Sequence, residues 1–119
     1  MSQLFTRIDT VFLRVTDLKR ALEWYQKGFD LEMGWADFDN GYASLKLGET
    51  SLTLVATPAD QFVPQTSHAP FSFFVPDAEA AHAQLTSLGI ECTPVVTDSV
   101  KWFDFYDVDG NLLSVCNWH

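Results

Sequence analysis

One short pattern occurs twice in the sequence, and this repeat constrains the fold more than any other feature. Val15-Thr16-Asp17 recurs as Val75-Pro76-Asp77, sixty residues later. Each copy follows a run with the two-residue period of a strand and precedes a run with the period of an amphipathic helix. Because aspartate is a favoured helix N-cap, we expect Asp17 and Asp77 to begin two equivalent helices.

Three more strand-like runs follow each predicted helix. They cover residues 31–36, 42–47 and 51–56 in the first half, and 91–97, 101–107 and 112–116 in the second. Asn-Gly, Gly-Glu and Asp-Gly-Asn turn signals separate them. The sequence therefore predicts an α+β fold of two βαβββ modules, about 5–57 and about 70–119, joined by a linker of about 58–69.

Composition and charge restrict the class of protein. With 119 residues, 47% hydrophobic and 19% charged, the chain has material for one packed domain. A net charge of −9 disfavours nucleic acid and anionic membrane surfaces as partners. Residues 61–119 carry seven acidic side chains and one basic one, Lys101, which favours a cationic partner there.

The sequence also bears on location and on the cysteines. No apolar run reaches the length of a membrane span, and the first residues lack the pattern of a signal peptide, so we predict a cytoplasmic protein. Cys92 and Cys116 have neither metal-ligand spacing nor the density of a disulfide scaffold, and we expect two reduced thiols.

Residues 8–17, 73–77 and 105–113 resemble the vicinal oxygen chelate superfamily, which includes glyoxalase I, extradiol dioxygenases, and fosfomycin and bleomycin resistance proteins. The run Asp107-Val108-Asp109-Gly110-Asn111 is close to the family's Asp-Pro-Asp-Gly-Asn before the last strand. The resemblance implies that the modules form an open, curled mixed sheet around a concave cavity. It also implies a homodimer.

Strand alternation predicts which side chains face that cavity. If Val11, Leu13 and Val15 pack on the first helix, the alternate residues face the ligand. The candidate ligand-binding residues are Phe12, Arg14, Tyr42, Phe74, Trp102, Asp104, Tyr106 and Ser114. Trp35, Phe38, Phe62 and Trp118 could either rim the cavity or cover a dimer interface.

Asp104 is the candidate with the most specific chemistry. It lies between Trp102 and Tyr106 at alternate positions, and a carboxylate flanked by aromatic rings favours a flat cation. The alternative is that Asp104 pairs with Arg14 or Lys46.

The resemblance implies four metal-ligand positions, which hold His, Glu, His and Glu in the metal-dependent members of this family. These positions carry Thr10, Thr53, Pro70 and Ser114 here. Three neutral hydroxyls and a proline do not form a cage for a divalent ion, so we expect no metal and no cofactor. His68 could replace Pro70 only through an altered register, and we expect it to be an exposed linker residue.

Other catalytic constellations are weak. No histidine can be placed beside Ser114 or Cys116 to form a nucleophilic pair, and His82 is expected to pack on its helix. Asp107 and Asp109 look like the start of a calcium loop, but their position between two strands predicts a hairpin turn.

Three functions follow from these features. The sequence favours a metal-independent binding protein, similar to the bleomycin resistance class, that sequesters a small aromatic or cationic compound. One alternative is a glyoxalase-like lyase, isomerase or dioxygenase that binds metal through other ligands, such as His68 with Asp104. Another is a structural or regulatory dimer without a ligand.

Overall fold

A computed structural model describes residues 3–117, and the chain divides into two compact units. Unit 1 ends at Phe62 and unit 2 begins at Val63, so the boundary falls within residues 58–69, where the linker is expected. Within residues 3–117, no helix combines the length and the apolar character that crossing a membrane requires.

Unit 1 has the element order βαβββ. Its sheet has the strand order β1-β4-β3-β2, in which β1 is parallel to β4 and the other pairs are antiparallel. The elements are β1 (Thr10–Val15), α1 (Leu18–Phe29), β2 (Met33–Asp37), β3 (Tyr42–Leu45) and β4 (Ser51–Ala56).

Helix α1 forms where the sequence predicts it. The Asp17 side chain accepts a hydrogen bond from the Arg20 backbone N–H at 3.1 Å, which satisfies one of the free donors of the first turn. One face of the helix is buried and contacts β3 and β4. That buried face consists of Leu18, Ala21, Leu22 and Tyr25.

Unit 2 repeats this order. Its sheet is β5-β8-β7-β6, with β5 parallel to β8, and Asp77 caps α2 by accepting from the Ala80 N–H at 3.1 Å. Helix α2 contacts β7 and β8. The elements are β5 (Ser72–Phe74), α2 (Ala78–Ser87), β6 (Val96–Thr97), β7 (Lys101–Tyr106) and β8 (Leu112–Asn117).

The predicted α+β fold of two βαβββ modules is therefore confirmed, while several strand ends differ from the prediction. Strand β2 covers 33–37 instead of 31–36, and β3 ends at Leu45 instead of 47. Strand β7 ends one residue earlier than predicted, and β8 ends one residue later.

The largest error is β6, which has two residues instead of the seven predicted for 91–97. The chain does run along β7, because the Thr93 N–H donates to the Asp104 carbonyl at 2.8 Å and the Tyr106 N–H to the Glu91 carbonyl at 3.1 Å. Pro94 has no N–H to continue this ladder. The Thr93 hydroxyl, at 2.9 Å, accepts the Asp104 N–H in place of a backbone carbonyl.

Side-chain alternation confirms which sheet face packs on the helix in each unit. In unit 1 the buried strand residues include Leu13, Val15, Ala43, Leu45, Leu52 and Leu54. In unit 2 they include Phe103, Phe105, Leu113 and Val115. The residues between them in each strand occupy the opposite face of the sheet.

Candidate ligand-binding site

Unit 1 contains a cavity of about 280 Å³ on the sheet face away from α1. This volume lies near the lower end of the range of about 300–1,000 Å³ for small-molecule pockets. Its wall combines three aromatic rings, three hydroxyl side chains and one carboxylate: Phe12, Trp35, Tyr42, Thr10, Ser51, Thr53 and Asp9. The cavity thus has apolar sides with few polar groups, as ligand sites commonly do.

Strand pairing arranges much of this wall as one row across the sheet. Phe12 pairs with Thr53, Thr53 with Ser44, and Ser44 with Trp35. Two small, buried hydroxyl residues therefore separate two large rings, of which Phe12 is 62% and Trp35 53% exposed. Since neighbouring strands lie about 4.8 Å apart, this row leaves room for a flat molecule between the rings.

A β-bulge places Trp35 in this row. The pairing of β2 with β3 shifts between Met33, opposite Leu45, and Trp35, opposite Ser44. Gly34 is the extra residue. In a regular strand Met33 and Trp35 would share one face, but the bulge aligns Met33 with the core residue Leu45 and Trp35 with Ser44, on the face away from α1.

Two of the cavity hydroxyls are bonded to each other. Thr10 Oγ1 lies 2.7 Å from Thr53 Oγ1 and 2.9 Å from the Ser51 carbonyl oxygen. Thr53 is buried, and it lies between strands β1 and β3 in the centre of the sheet. We call Thr10 and Thr53 the hydroxyl pair.

Asp9 contributes the carboxylate of the cavity, at its exposed edge. The Asp9 carbonyl accepts from the Ser51 N–H at 3.1 Å, which fixes the backbone beside the start of β4. The Asp9 carboxylate lies 3.1 Å from the Arg7 guanidinium, which also donates to the Glu49 carbonyl at 2.6 Å. Such an exposed ion pair contributes only about 0–1 kcal/mol.

The hydroxyl pair occupies two of the four family metal positions, and these residues do not fit a divalent ion. Such an ion requires imidazole or carboxylate ligands, and neutral hydroxyls are poor replacements for them. These two hydroxyls are hydrogen-bonded to each other. The other two positions hold Pro70, in a bend before β5, and Ser114, in β8. Among residues 3–117, no three His, Cys, Asp or Glu side chains cluster as a metal site.

In unit 2 the remaining candidate residues share the sheet face away from α2, as alternation predicts. Asp104 lies opposite Ser114, which pairs with Ser72, and Trp102 lies opposite Cys116, which pairs with Phe74. Tyr106 lies opposite Leu112. Lys46, one of the two alternative partners of Asp104, pairs with Glu32 at 3.5 Å.

Thus the structure brings Phe12 and Tyr42 together in the unit 1 cavity, with Trp35 from the predicted rim. Arg14 lies one row further along the sheet, opposite Val55, outside the cavity wall. Phe38 lies 5.5 Å from the Lys19 ammonium. Trp118 lies outside the described residues.

His68, His82 and Cys92 have surroundings that suit packing or exposure and not catalysis. His68 is exposed, with its Nδ1 3.1 Å from the Ser67 hydroxyl. His82 packs edge-on against Phe103 and its Nε2 lies 3.0 Å from the Thr93 carbonyl, which confirms a packing role. Burial raises the pKa of the Cys92 thiol, which keeps it protonated at neutral pH and unsuited to nucleophilic attack.

The motif at 107–111 is confirmed as a hairpin turn. The Asp107 carboxylate accepts from the backbone N–H groups of Asp109 at 2.9 Å and Asn111 at 2.8 Å, and Gly110 has a φ of 83°. These bonds direct the carboxylate into the turn itself.

Sequence reasoning missed Asp9 as a site residue. Asp9 precedes the first strand residue, Thr10, so the alternation rule that selects cavity residues does not reach it. The position of Trp35 could be predicted only as a rim, because a bulge changes which face a strand residue occupies.

The fold and this site define the class of protein. A family model of the Glyoxalase/Bleomycin resistance protein/Dioxygenase superfamily matches residues 7–115. The chain belongs to this superfamily, which confirms the resemblance drawn from its motifs. A comparison with curated protein sequences finds no significant match.

Solved structures with the same fold have little sequence identity with the chain. A protein assigned to the glyoxalase family from Bacillus anthracis has a TM-score of 0.85 and 19% identity, over 100% of both chains. TnmS3, an antibiotic binding protein from Streptomyces sp. CB03234, has a TM-score of 0.81 and 20% identity, over 99% of this chain and 100% of that one. The fosfomycin resistance protein FosX from Listeria monocytogenes has 0.80 and 16%, over 98% and 96%.

Proposed function

We propose that this chain is a metal-independent binding protein that sequesters a small aromatic compound and, as the family resemblance implies, forms a homodimer. The observation that carries the proposal is the unit 1 cavity, in which Phe12, Trp35 and Tyr42 surround a hydroxyl pair at two family metal positions. A flat ligand that stacks against these rings removes apolar surface from water, which stabilises the complex by about 25 cal/mol per Å².

The donor set supports binding without a metal. Metal-dependent catalysis in this family needs anionic or imidazole ligands that hold a Lewis acid next to the substrate. Thr10 and Thr53 are neutral and hydrogen-bonded to each other, so they supply neither the negative charge nor the imidazole nitrogen that such an ion requires. A cavity of this kind holds a ligand through shape and apolar contact.

Structural relatives support a small molecule as the ligand. TnmS3 is described as an antibiotic binding protein and FosX as a fosfomycin resistance protein. The unit 2 face with Trp102, Asp104 and Tyr106 is a second proposed contact surface, suited to a cationic part of a ligand by charge and by cation–π attraction of about 0.5–2 kcal/mol.

Thermal shift and calorimetry with planar aromatic compounds test this function. The protein is first treated with a chelator, and its metal content is measured by elemental analysis before and after treatment. We expect several flat compounds to raise the Tm of the metal-free protein. At a ligand concentration of a hundred times Kd, the free energy of unfolding rises by about 2.7 kcal/mol. Stoichiometric zinc, nickel, manganese or iron in the gently purified protein, or no shift across the panel, would contradict the proposal.

A pair of tryptophan variants assigns the binding to a unit. Trp35→Leu removes a ring from the unit 1 cavity, and Trp102→Leu removes an exposed ring from the unit 2 face. We expect Trp35→Leu to weaken binding about fivefold to tenfold, since an aromatic ring contact contributes about 1–1.4 kcal/mol. Trp102→Leu tests the unit 2 face and should weaken the binding of cationic compounds only. Phe5→Leu, which removes an exposed ring of unit 1 outside the cavity wall, is the matched control and should leave the Kd unchanged.

A further inference from the structure

Each of the three aliphatic hydroxyls that line the unit 1 cavity has a hydrogen-bond acceptor within the chain. Each hydroxyl has one hydrogen and two lone pairs. Thr10 Oγ1 is 2.9 Å from the Ser51 carbonyl oxygen, which can only accept, so the Thr10 hydrogen lies there. The hydrogen between Thr10 Oγ1 and Thr53 Oγ1, 2.7 Å apart, therefore comes from Thr53. The Ser51 hydroxyl donates to the Asp9 carbonyl at 3.4 Å.

All three hydroxyl hydrogens are thus used within the chain, and the hydroxyls offer only lone pairs to a ligand. The Asp9 carboxylate is also purely an acceptor. A ligand atom with lone pairs alone would lose its hydrogen bonds to water at the hydroxyl pair and find no donor there. A ligand N–H would find an acceptor.

We propose that this cavity selects flat aromatic compounds that carry an N–H group in or on the ring, and that this N–H donates to the hydroxyl pair. The inference rests on the proposed function, because it names the ligand class of the same cavity. Phe12 and Trp35, at the two ends of the row, contact the ring system, and Thr53, between them, receives the polar edge.

The hydrogen-bond donor, rather than a positive charge, is the feature that this cavity selects. Asp9 is already paired with Arg7, so the charge at the exposed edge is close to neutral. The other possible donors in the wall, the Tyr42 hydroxyl and the Trp35 indole N–H, belong to side chains that are 38% and 53% exposed, whereas Thr53 is 2% exposed. Discrimination by hydrogen bonding is strongest where water cannot replace the missing partner.

Two isosteric probes test the proposal on the unmodified protein. Indole and benzofuran have nearly the same shape, but indole has a ring N–H where benzofuran has an oxygen. By isothermal titration calorimetry we expect indole to bind about fivefold more tightly than benzofuran, as one neutral hydrogen bond predicts. Equal affinities would overturn this inference and leave the proposed function standing. If neither probe binds while other flat compounds of the thermal shift panel do, this inference falls and the proposed function stands; if nothing in the panel binds, both fall.

Variants at Thr53 locate the preference. Thr53→Val removes the lone pairs with little change of shape, and we expect the ratio of the two affinities to fall to about one. Thr53→Ser keeps a hydroxyl and should restore the preference. Thr57→Val, a threonine of the same unit outside the cavity wall, is the matched control and should keep the fivefold ratio. A preference that survives in Thr53→Val would overturn the assignment of the acceptor to Thr53.

Discussion

At the scale of single residues, the proposal of binding without a metal rests on the hydroxyl pair. The sequence was sufficient to predict that Thr10 and Thr53 share the cavity face, since strand alternation and the family motif specify both positions. It could not predict that the two oxygens lie 2.7 Å apart, because this depends on the register of β1 against β4. The direction of the bond between them follows from the Ser51 carbonyl, which can only accept and takes the Thr10 hydrogen.

Thr57 provides a prediction about stability. Its hydroxyl oxygen is buried without a hydrogen-bond partner among the described residues, although its backbone N–H donates to the Val15 carbonyl at 2.8 Å. Thr57→Val removes the unsatisfied group and keeps both the branched shape and the backbone bond. We expect the free energy of unfolding to rise by about 1 kcal/mol.

Urea unfolding followed by circular dichroism measures this change. Thr97→Val, at an exposed position of β6, is the control, and its effect should stay within about 0.5 kcal/mol. A lower urea midpoint for Thr57→Val than for the natural chain would contradict the prediction, because it would show that the buried Thr57 hydroxyl stabilises the folded state.

At the scale of elements, the two-residue and helical periods were enough to predict both helices of residues 3–117 and the order of helix and strands along each unit. They failed where one residue breaks a period. Gly34 adds a bulge that changes the face of Trp35, and Pro94 interrupts the ladder that would have extended β6. Neither event alters hydrophobicity, so a pattern of apolar residues carries no signal for it.

The end of α1 gives a prediction at this scale. Asp30 follows the last helical residue with a φ of 54° and a ψ of 45°, the left-handed region that favours glycine. Its negative charge also lies at the negative end of the helix dipole. We expect Asp30→Gly to raise the free energy of unfolding by about 0.5–1 kcal/mol.

Two companion variants separate these causes. Asp30→Asn removes the charge and keeps a side chain that tolerates positive φ, so its gain should be smaller than that of glycine. Asp30→Ala removes the charge but retains the steric cost of a β-carbon, and we expect it to be less stable than the asparagine variant. Chemical unfolding of the three variants in one buffer gives the ranking, and alanine matching glycine would exclude the backbone argument.

At the scale of the whole molecule, the twofold βαβββ order was readable from the sequence because each unit buries one sheet face on one helix. The chemical class of the ligand could not be predicted from the sequence in the same detail. Family membership specifies the fold, but one fold serves many activities, and the donor and acceptor pattern that discriminates between ligands is set by a few side-chain contacts. The cavity residues Asp9 and Trp35 show this, since neither follows from periodicity alone.

The net charge yields the last prediction. At pH 7 the chain carries a charge of −9 distributed over 119 residues, and this excess repels itself more strongly in the compact state than in the unfolded chain. Salt shortens the range of that repulsion from about 30 Å at 0.01 M to about 10 Å at 0.1 M. We therefore expect the Tm at pH 7 to rise when sodium chloride increases over this interval, and to rise equally in potassium chloride or sodium bromide at the same ionic strength.

Near pH 4.4, where the net charge vanishes, the repulsion is absent and the same addition of salt should leave the Tm almost unchanged. Differential scanning calorimetry at the two pH values measures both effects. A Tm that falls with salt at pH 7 would mean that specific ion pairs, such as Lys101 with Glu79, outweigh the net charge in holding the fold.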